Sequence, residues 1–307
     1  MLPAWFPSLA CCPEDRGALD DSLRCVACGH AYALRDGVVD LMPERPADDE
    51  HARWIRDELA WWNPRYERPP GRPFSPRAGL RGRSRERNLF RRVRGRIGAR
   101  PLVIEMGAGD SLTMAGLMPD ARYVATDVSP AALRTGRALL GQDAVSVLCD
   151  AVGWPFRESV ADMVLILGVL HHLSDWRAAL ERACRTVRPG GFLLLHEAVT
   201  KPRILGRVRR TGIDDHWTSP HEGDVPRDEL LAFLRRRGQV ERWHGEESPL
   251  RFALVRYVVQ RYELYDRLER SPAMAIALNG ADQAFGRTLG RLFPSLGFNE
   301  ITVVWRR

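Results

Sequence analysis

The chain has 307 residues, 45% of them apolar and 28% charged, enough for one ordinary domain plus a smaller module and too apolar for global disorder. Its formal charge is +7, yet every basic residue except Lys201 is arginine; this one-sided use points to codon bias in a GC-rich genome and a solvated surface rather than a nucleic-acid or membrane face. No apolar run reaches bilayer length, the best being Val160 to Leu173, and the opening MLPAWFPSLACC has no basic residue before its apolar part, so the expectation is a cytoplasmic chain with reduced thiols and no membrane span.

Residues 1–45 hold four of the six cysteines and end in the alternating run YALRDGVVDLM. Residues 46–100 read as an Arg/Pro-rich linker and helical cap. There, DDEHARWIRDELAWWNP predicts a helix stopped by Pro64. RYERPPGRPFSPRAGLRGR has too much Pro, Gly and Arg to pack and reads as a mobile loop. SRERNLFRRVRGRIG predicts a short helix with Leu89, Phe90, Val93 and Ile97 on one side.

Residues 101–307 alternate strand and helix patterns. PLVIEMG, RYVATD, AVSVLCD, ADMVLILG and GFLLLHEAV are short apolar runs suited to buried parallel strands. SPAALRTGRALL and DWRAALERACRTVR have helical spacing, with Ser129 and Asp175 placed to cap them. PRDELLAFLRRRG and QVERWHGE add a helix and a strand, a helical insertion is expected near 250–293, and NEITVVW closes the series. Strands separated by helices predict an α/β fold with a parallel sheet.

The chemistry-bearing residues fall at strand ends. The first strand of this region runs into Gly107 and Gly109, where a missing side chain lets backbone approach a ligand. A third glycine, wanted by a nicotinamide or flavin site, is replaced by Leu112. The next strand ends in Asp127, able to accept from two ribose hydroxyls; the third ends in Asp150, able to accept from an adenine amine. A helix cap or a turn acid is the plainer account of each acid taken singly. Their order along the chain favours an adenosine ligand.

In that order, VIEMGAGD, ATDVSP, LCDAVGWPF, ADMVLILGVLHHLSD and VRPGGFLLLHE resemble the class I S-adenosylmethionine-dependent methyltransferases, and most closely the small-molecule type that includes the quinone-biosynthesis enzymes. The resemblance implies a Rossmann-like seven-stranded sheet with helices on both faces. It implies that Glu105, Gly107, Ala108 and Gly109 surround the methionine end and ribose. It also places Asp127 on the ribose, Val128 beside adenine, Asp150 and Ala151 on adenine, and Gly168 by the sulfonium. Methyl transfer from a sulfonium is a direct displacement, so the protein mainly aligns the reactants and excludes water. If a general base is needed, His171, His172 and His196 are the candidates, with Glu197 beside the last; the plainer account of the histidine pair is a fold loop that touches no proton. His216 and His221 lie in a later polar loop.

The cysteine-rich head resembles the zinc-ribbon-type domains of the small methyltransferase-activator family. Those carry two C-x-x-C knuckles for one tetrahedral zinc. Here the second knuckle, Cys25 and Cys28, is intact, whereas in the first Cys12 is matched by Asp15. Cys11 or His30 are other ligand choices, and a metal-free remnant held by its apolar residues is an equal alternative. Three functions follow for the whole: transfer to a small-molecule or glycan/lipid-intermediate acceptor, an RNA methyltransferase with a cysteine-rich reading head, or a non-catalytic binding protein. The L-H-H-L run, in place of the Asn/Asp-Pro-Pro-aromatic motif of base methylation, and the few aromatics among the arginines favour the first.

Overall fold

A computed structural model describes residues 2–45, 49–67, 93–109, 118–137, 143–199, 219–246 and 300–307, with isolated positions between them. The expected Arg/Pro-rich loop, most of the short helix after it, His216 and most of the expected insertion near 250–293 lie outside the described residues.

The apolar runs of residues 101–307 form seven strands: β3 (Leu102–Met106), β4 (Arg122–Asp127), β5 (Ala144–Leu148), β6 (Ala161–Leu167), β7 (Val187–Ala198), β8 (Gln239–Glu246) and β9 (Glu300–Arg306). β3 pairs in parallel with β4 and β6, β4 with β5, and β6 with β7, while β9 runs antiparallel between β7 and β8. Alternation along the strands divides the core in two. Ile104, Val124, Val164 and Leu193 face one cluster, which includes residues of α3 (Trp176–Thr186) and α4 (Arg227–Arg235). Val103, Tyr123, Leu165 and Phe192 face the other, which includes Leu133 of α2 (Pro130–Arg137) and Phe90, Val93 and Ile97. The sheet thus carries helices on both faces. Ser129 Oγ accepts the Ala132 N–H at 3.1 Å and Asp175 accepts that of Ala178 at 3.0 Å, so both expected caps form.

Two departures from the sequence reading concern the N-terminal third. The alternating run YALRDGVVDLM, whose period suits a single strand, is a hairpin: β1 (Ala33–Arg35) and β2 (Val38–Asp40) turn at Asp36 and Gly37, whose φ angles are 52° and 76°. An Asp-Gly pair with both φ positive is the turn whose twist suits a two-residue hairpin. β2 then pairs in parallel with β5, extending the sheet to nine strands in the order β1-β2-β5-β4-β3-β6-β7-β9-β8. The head is also bonded through Arg16, whose guanidinium donates to the Trp154 and Phe156 carbonyls at 2.6 and 2.7 Å. Phe6, Leu9 and Leu41 share one apolar cluster with Trp154 and Phe156.

The second departure is α1 (Glu50–Tyr66), which continues through Pro64 instead of stopping there. Asp49 caps its start by accepting the Ala52 N–H at 2.8 Å. Pro64 removes one backbone donor, but only in the closing turn, where few bonds remain to lose. The Arg65 guanidinium donates to the Trp61 carbonyl and lies 3.4 Å from the Trp61 ring centroid.

Candidate functional site

The carboxyl ends of β3, β4, β5 and β6 lie side by side and carry the predicted ligand groups. After β3 the backbone turns through Gly107 and Gly109 at φ 64° and 59°, a region that side chains disfavour. A Cβ on Gly107 would sit 2.5 Å from Val169 Cγ2, so the glycine lets the β3 and β6 loops touch. Gly168, at the end of β6, has φ 75° and donates its N–H to the His196 carbonyl at 2.7 Å. Glu105 is buried on β3, and Ala108 donates its N–H to the Thr126 carbonyl at 2.7 Å.

Asp127 bridges two of these loops. Its carboxylate accepts the Gly109 N–H at 2.9 Å and the Ser129 N–H at 2.8 Å. Val128 beside it and Ala151 on the neighbouring tip are half-buried. Asp150 is only 4% exposed and already heavily partnered. Oδ1 accepts the Val152 N–H at 2.9 Å; Oδ2 faces His51 Nε2 at 2.8 Å and the Arg45 guanidinium at 3.3 Å. Burial alone would raise this carboxyl's pKa, but the His51 bond and charge, the Val152 N–H and Arg45 outweigh it and hold the group below its ordinary value.

The sequence predicted a helix and a helical cap here, but not which groups of the crevice it would meet. α1 crosses the strand ends and meets Asp150, Ser129 and Gly109 of the groups named above. His51 links Asp150 to Ser174 Oγ, which lies 2.7 Å from its Nδ1. Ser129 Oγ donates to Asn63 Oδ1 at 2.6 Å, Thr135 Oγ1 donates to the Tyr66 carbonyl at 3.2 Å, and a Cβ on Gly109 would meet Tyr66 Oη at 3.0 Å. The Trp54 indole donates to the His172 carbonyl at 2.8 Å and stacks on His221, 4.3 Å between centroids. The available signal was the aromatic density of WIRDELAWWNPRY, which a solvated linker helix does not need.

The three candidate histidines divide two to one. His171 and His172 occupy the 3-10 turn Leu170–His172 that follows β6. His171 Nδ1 is hydrogen-bonded to Glu197, which is wholly buried and also accepts the N–H groups of Val169, Leu170 and Ala198 at 3.1, 2.6 and 2.8 Å. Burial would raise the Glu197 carboxyl, yet the His171 charge and bond and the two loop N–H groups hold it below its ordinary value. His172 Nδ1 lies 2.9 Å from Ser219 Oγ and 3.5 Å from Glu58 Oε2 of α1. His196 stands apart. It alternates with Glu197 on β7, and its Nδ1 lies 3.1 Å from Thr302 Oγ1 and its Nε2 3.6 Å from Glu300 Oε2.

In the head, the four expected ligand atoms converge. One atom each from Cys12, Asp15, Cys25 and Cys28 lies within 4.8 Å of every other. Cys12 Sγ is 3.7 Å from Cys28 Sγ, and Cys25 Sγ is 3.3 Å from Asp15 Oδ1. A tetrahedral zinc with Zn–S bonds of about 2.3 Å has S–S edges of about 3.8 Å, so the donor set fits that ion. The Gly17 N–H and then the Cys12 thiol hold the Asp15 carboxyl at about 2. Tyr32 Oη, 3.0 Å from Cys12 Sγ, is a neighbour the motif did not announce. Cys11 instead donates its backbone N–H to Pro155 at 2.9 Å, and Cys149 and Cys184 are buried in the sheet core.

Comparison with known proteins bears on the sheet region of the chain. A family profile described as a methyltransferase domain matches residues 104–195. The demethylmenaquinone methyltransferase of Corynebacterium urealyticum is 33% identical over 105 residues, 34% of this chain and 44% of the relative. A tRNA (carboxymethyluridine(34)-5-O)-methyltransferase of Arabidopsis thaliana is 32% identical over 97 residues, 31% of this chain and 23% of the relative. The chain therefore spans less than half the length of these two relatives. Among solved structures, geranyl diphosphate C-methyltransferase from Streptomyces coelicolor A3(2) has the same fold, with a TM-score of 0.56 at 16% identity over 86% of this chain and 100% of that one.

Proposed function

We propose that this chain is a class I S-adenosylmethionine-dependent methyltransferase, a reading supported by the methyltransferase-domain match over residues 104–195, and that it transfers a methyl group to a small-molecule or glycan/lipid-intermediate acceptor. The observation that carries the reading is the roof: α1 lies across the strand ends and brings Trp54, Trp62 and Tyr66 over them, which suits a compact acceptor shielded from water. The residues at the crevice fit the cofactor. Gly107, Gly109 and Gly168 keep side chains off the turns, and Asp127 and Asp150 offer carboxylates for ribose hydroxyls and the adenine amine. S-adenosylmethionine supplies an already activated methyl group. The chain's own work is to orient the two reactants, exclude water through α1, and accept a proton if the acceptor holds one. His171 and His172 stand beside Gly168 and are the histidines placed to act on an acceptor; His196 is held on the other side of β7.

The plant tRNA relative favours RNA as the second reading. Labelled S-adenosylmethionine offered in parallel to total RNA and to a small-molecule extract of the producing cell separates the two. Label is expected in the extract; stoichiometric label in one RNA species, with none in the extract, replaces the small-molecule reading.

For the head we propose one structural zinc per chain, held by Cys12, Asp15, Cys25 and Cys28. Elemental analysis of chelator-free protein is expected to give about one zinc, and Cys25→Ser is expected to abolish it, because the knuckle then offers one strong ligand instead of two. Zinc-free, fully folded protein would instead establish the head as a remnant held by Phe6, Leu9 and Tyr32.

A further inference from the structure

Beside the end of β6, two adjacent histidines meet an acid from a loop fifty residues later. One ring nitrogen of His171, one of His172 and a carboxylate oxygen of Glu222 all lie within 4.8 Å of one another. The Glu222 segment is fastened there, because the next residue, Gly223, donates its N–H to the His171 carbonyl at 2.6 Å. The two rings stand 4.0 Å apart at a tilt of 43°. Each is oriented through Nδ1, His171 by Glu197 and His172 by Ser219 and Glu58.

This is how a protein prepares imidazoles for a metal: one ring nitrogen goes to the ion, and the other is fixed by a carboxylate or hydroxyl. The acid beside His172 is itself buried. Glu58 is 4% exposed, and while its Oε2 accepts the Trp62 indole N–H at 3.0 Å, its Oε1 is buried with no hydrogen-bond partner among the described residues. Three carboxylates, two of them buried, therefore surround two imidazoles.

We propose that His171, His172 and Glu222 form a binding site for a divalent transition-metal cation, with Glu197, Ser219 and Glu58 orienting the two rings. Two imidazole nitrogens and one carboxylate suit Mn²⁺, Fe²⁺ or Zn²⁺, whereas Mg²⁺ and Ca²⁺ prefer shells of oxygen alone. Three protein ligands leave coordination positions open. The site adjoins Gly168, so, resting on the methyltransferase reading, the open positions would take oxygen atoms of the acceptor. The acceptor class that fits is one with a hydroxyl or enol oxygen, preferably with a second oxygen adjacent to it.

Mn²⁺ alone is the probe, because it is hard enough to pass over the cysteine-rich head. Titration of the full chain followed by electron paramagnetic resonance should show one bound Mn²⁺. Glu222→Gln, an exposed position whose change leaves the fold in place, should weaken it at least about tenfold, and Glu58→Gln by about tenfold. No binding at millimolar Mn²⁺, or equal affinity in Glu222→Gln, overturns the site. Calorimetry with S-adenosylhomocysteine on the same samples keeps the two readings separate. Nucleoside bound without Mn²⁺ overturns the cation site alone; folded protein that binds neither overturns both.

Discussion

Glu197→Ala is expected to lower folding stability by about 3–5 kcal/mol, the range for removing one member of a buried charged pair. Four donors would lose their acceptor at once: His171 Nδ1 and the N–H groups of Val169, Leu170 and Ala198. Glu197 is wholly buried, so water cannot take its place without opening the β6 loop. Glu197→Gln keeps one acceptor oxygen and should recover part of the loss. Denaturant unfolding of the three proteins measures the series. A loss under about 1 kcal/mol for the alanine variant would mean that this carboxylate adds little beyond a neutral hydrogen bond.

Asp127→Ala is expected to weaken S-adenosylhomocysteine binding by about 1.5–3 kcal/mol, roughly tenfold to a hundredfold or more. Two effects act together. The variant loses the acceptor proposed for the ribose, and it frees the Gly109 and Ser129 N–H groups that Asp127 now ties across the crevice. Asp127→Asn separates them. The amide oxygen can still hold a loop N–H, so a full loss in Asn assigns the effect to charge, and a partial loss assigns it to loop geometry. Calorimetric affinity unchanged in Asp127→Ala would remove this residue from the site.

The sheet was legible because buried parallel strands must be short apolar runs, and LVIEM, VLIL and FLLL cannot hide. The crevice was legible for a related reason: glycines and acids at strand ends stand out against such runs. What the roof helix touches was not. α1 meets the crevice through Asn63, His51, Glu58 and two tryptophans, and its polar partners sit from sixty to more than a hundred and sixty residues away in sequence. Periodicity reports which face of a helix is apolar; here the inward face is partly polar, with Glu58 the buried residue. Pro64 misled because its rule applies to helix interiors, whereas this helix was already ending. Glu222 gave no signal at all. An exposed glutamate in a polar loop becomes a candidate ligand only when Gly223 bonds to the histidine turn.

The hairpin of the head has a consequence for how the chain behaves in a crowded solution. An open sheet ends in a strand whose backbone donors and acceptors invite any passing strand. On the β5 side that invitation is answered from within: Val38, Val39 and Asp40 sit opposite Ser146, Val147 and Leu148, and Leu41 adds an N–H bond to the Leu148 carbonyl at 2.8 Å. What faces outward instead is β1, three residues long and closed by a tight turn. Short edges of this kind template poorly. Loosening the head, by removing the proposed zinc or by cutting the chain near residue 45, would uncover the almost wholly buried strand Ala144–Leu148. The first symptom would then be clumping of the protein, visible as light scattering before any change in catalysis. The head would be selected as much for keeping copies of the chain apart as for anything it does at the crevice.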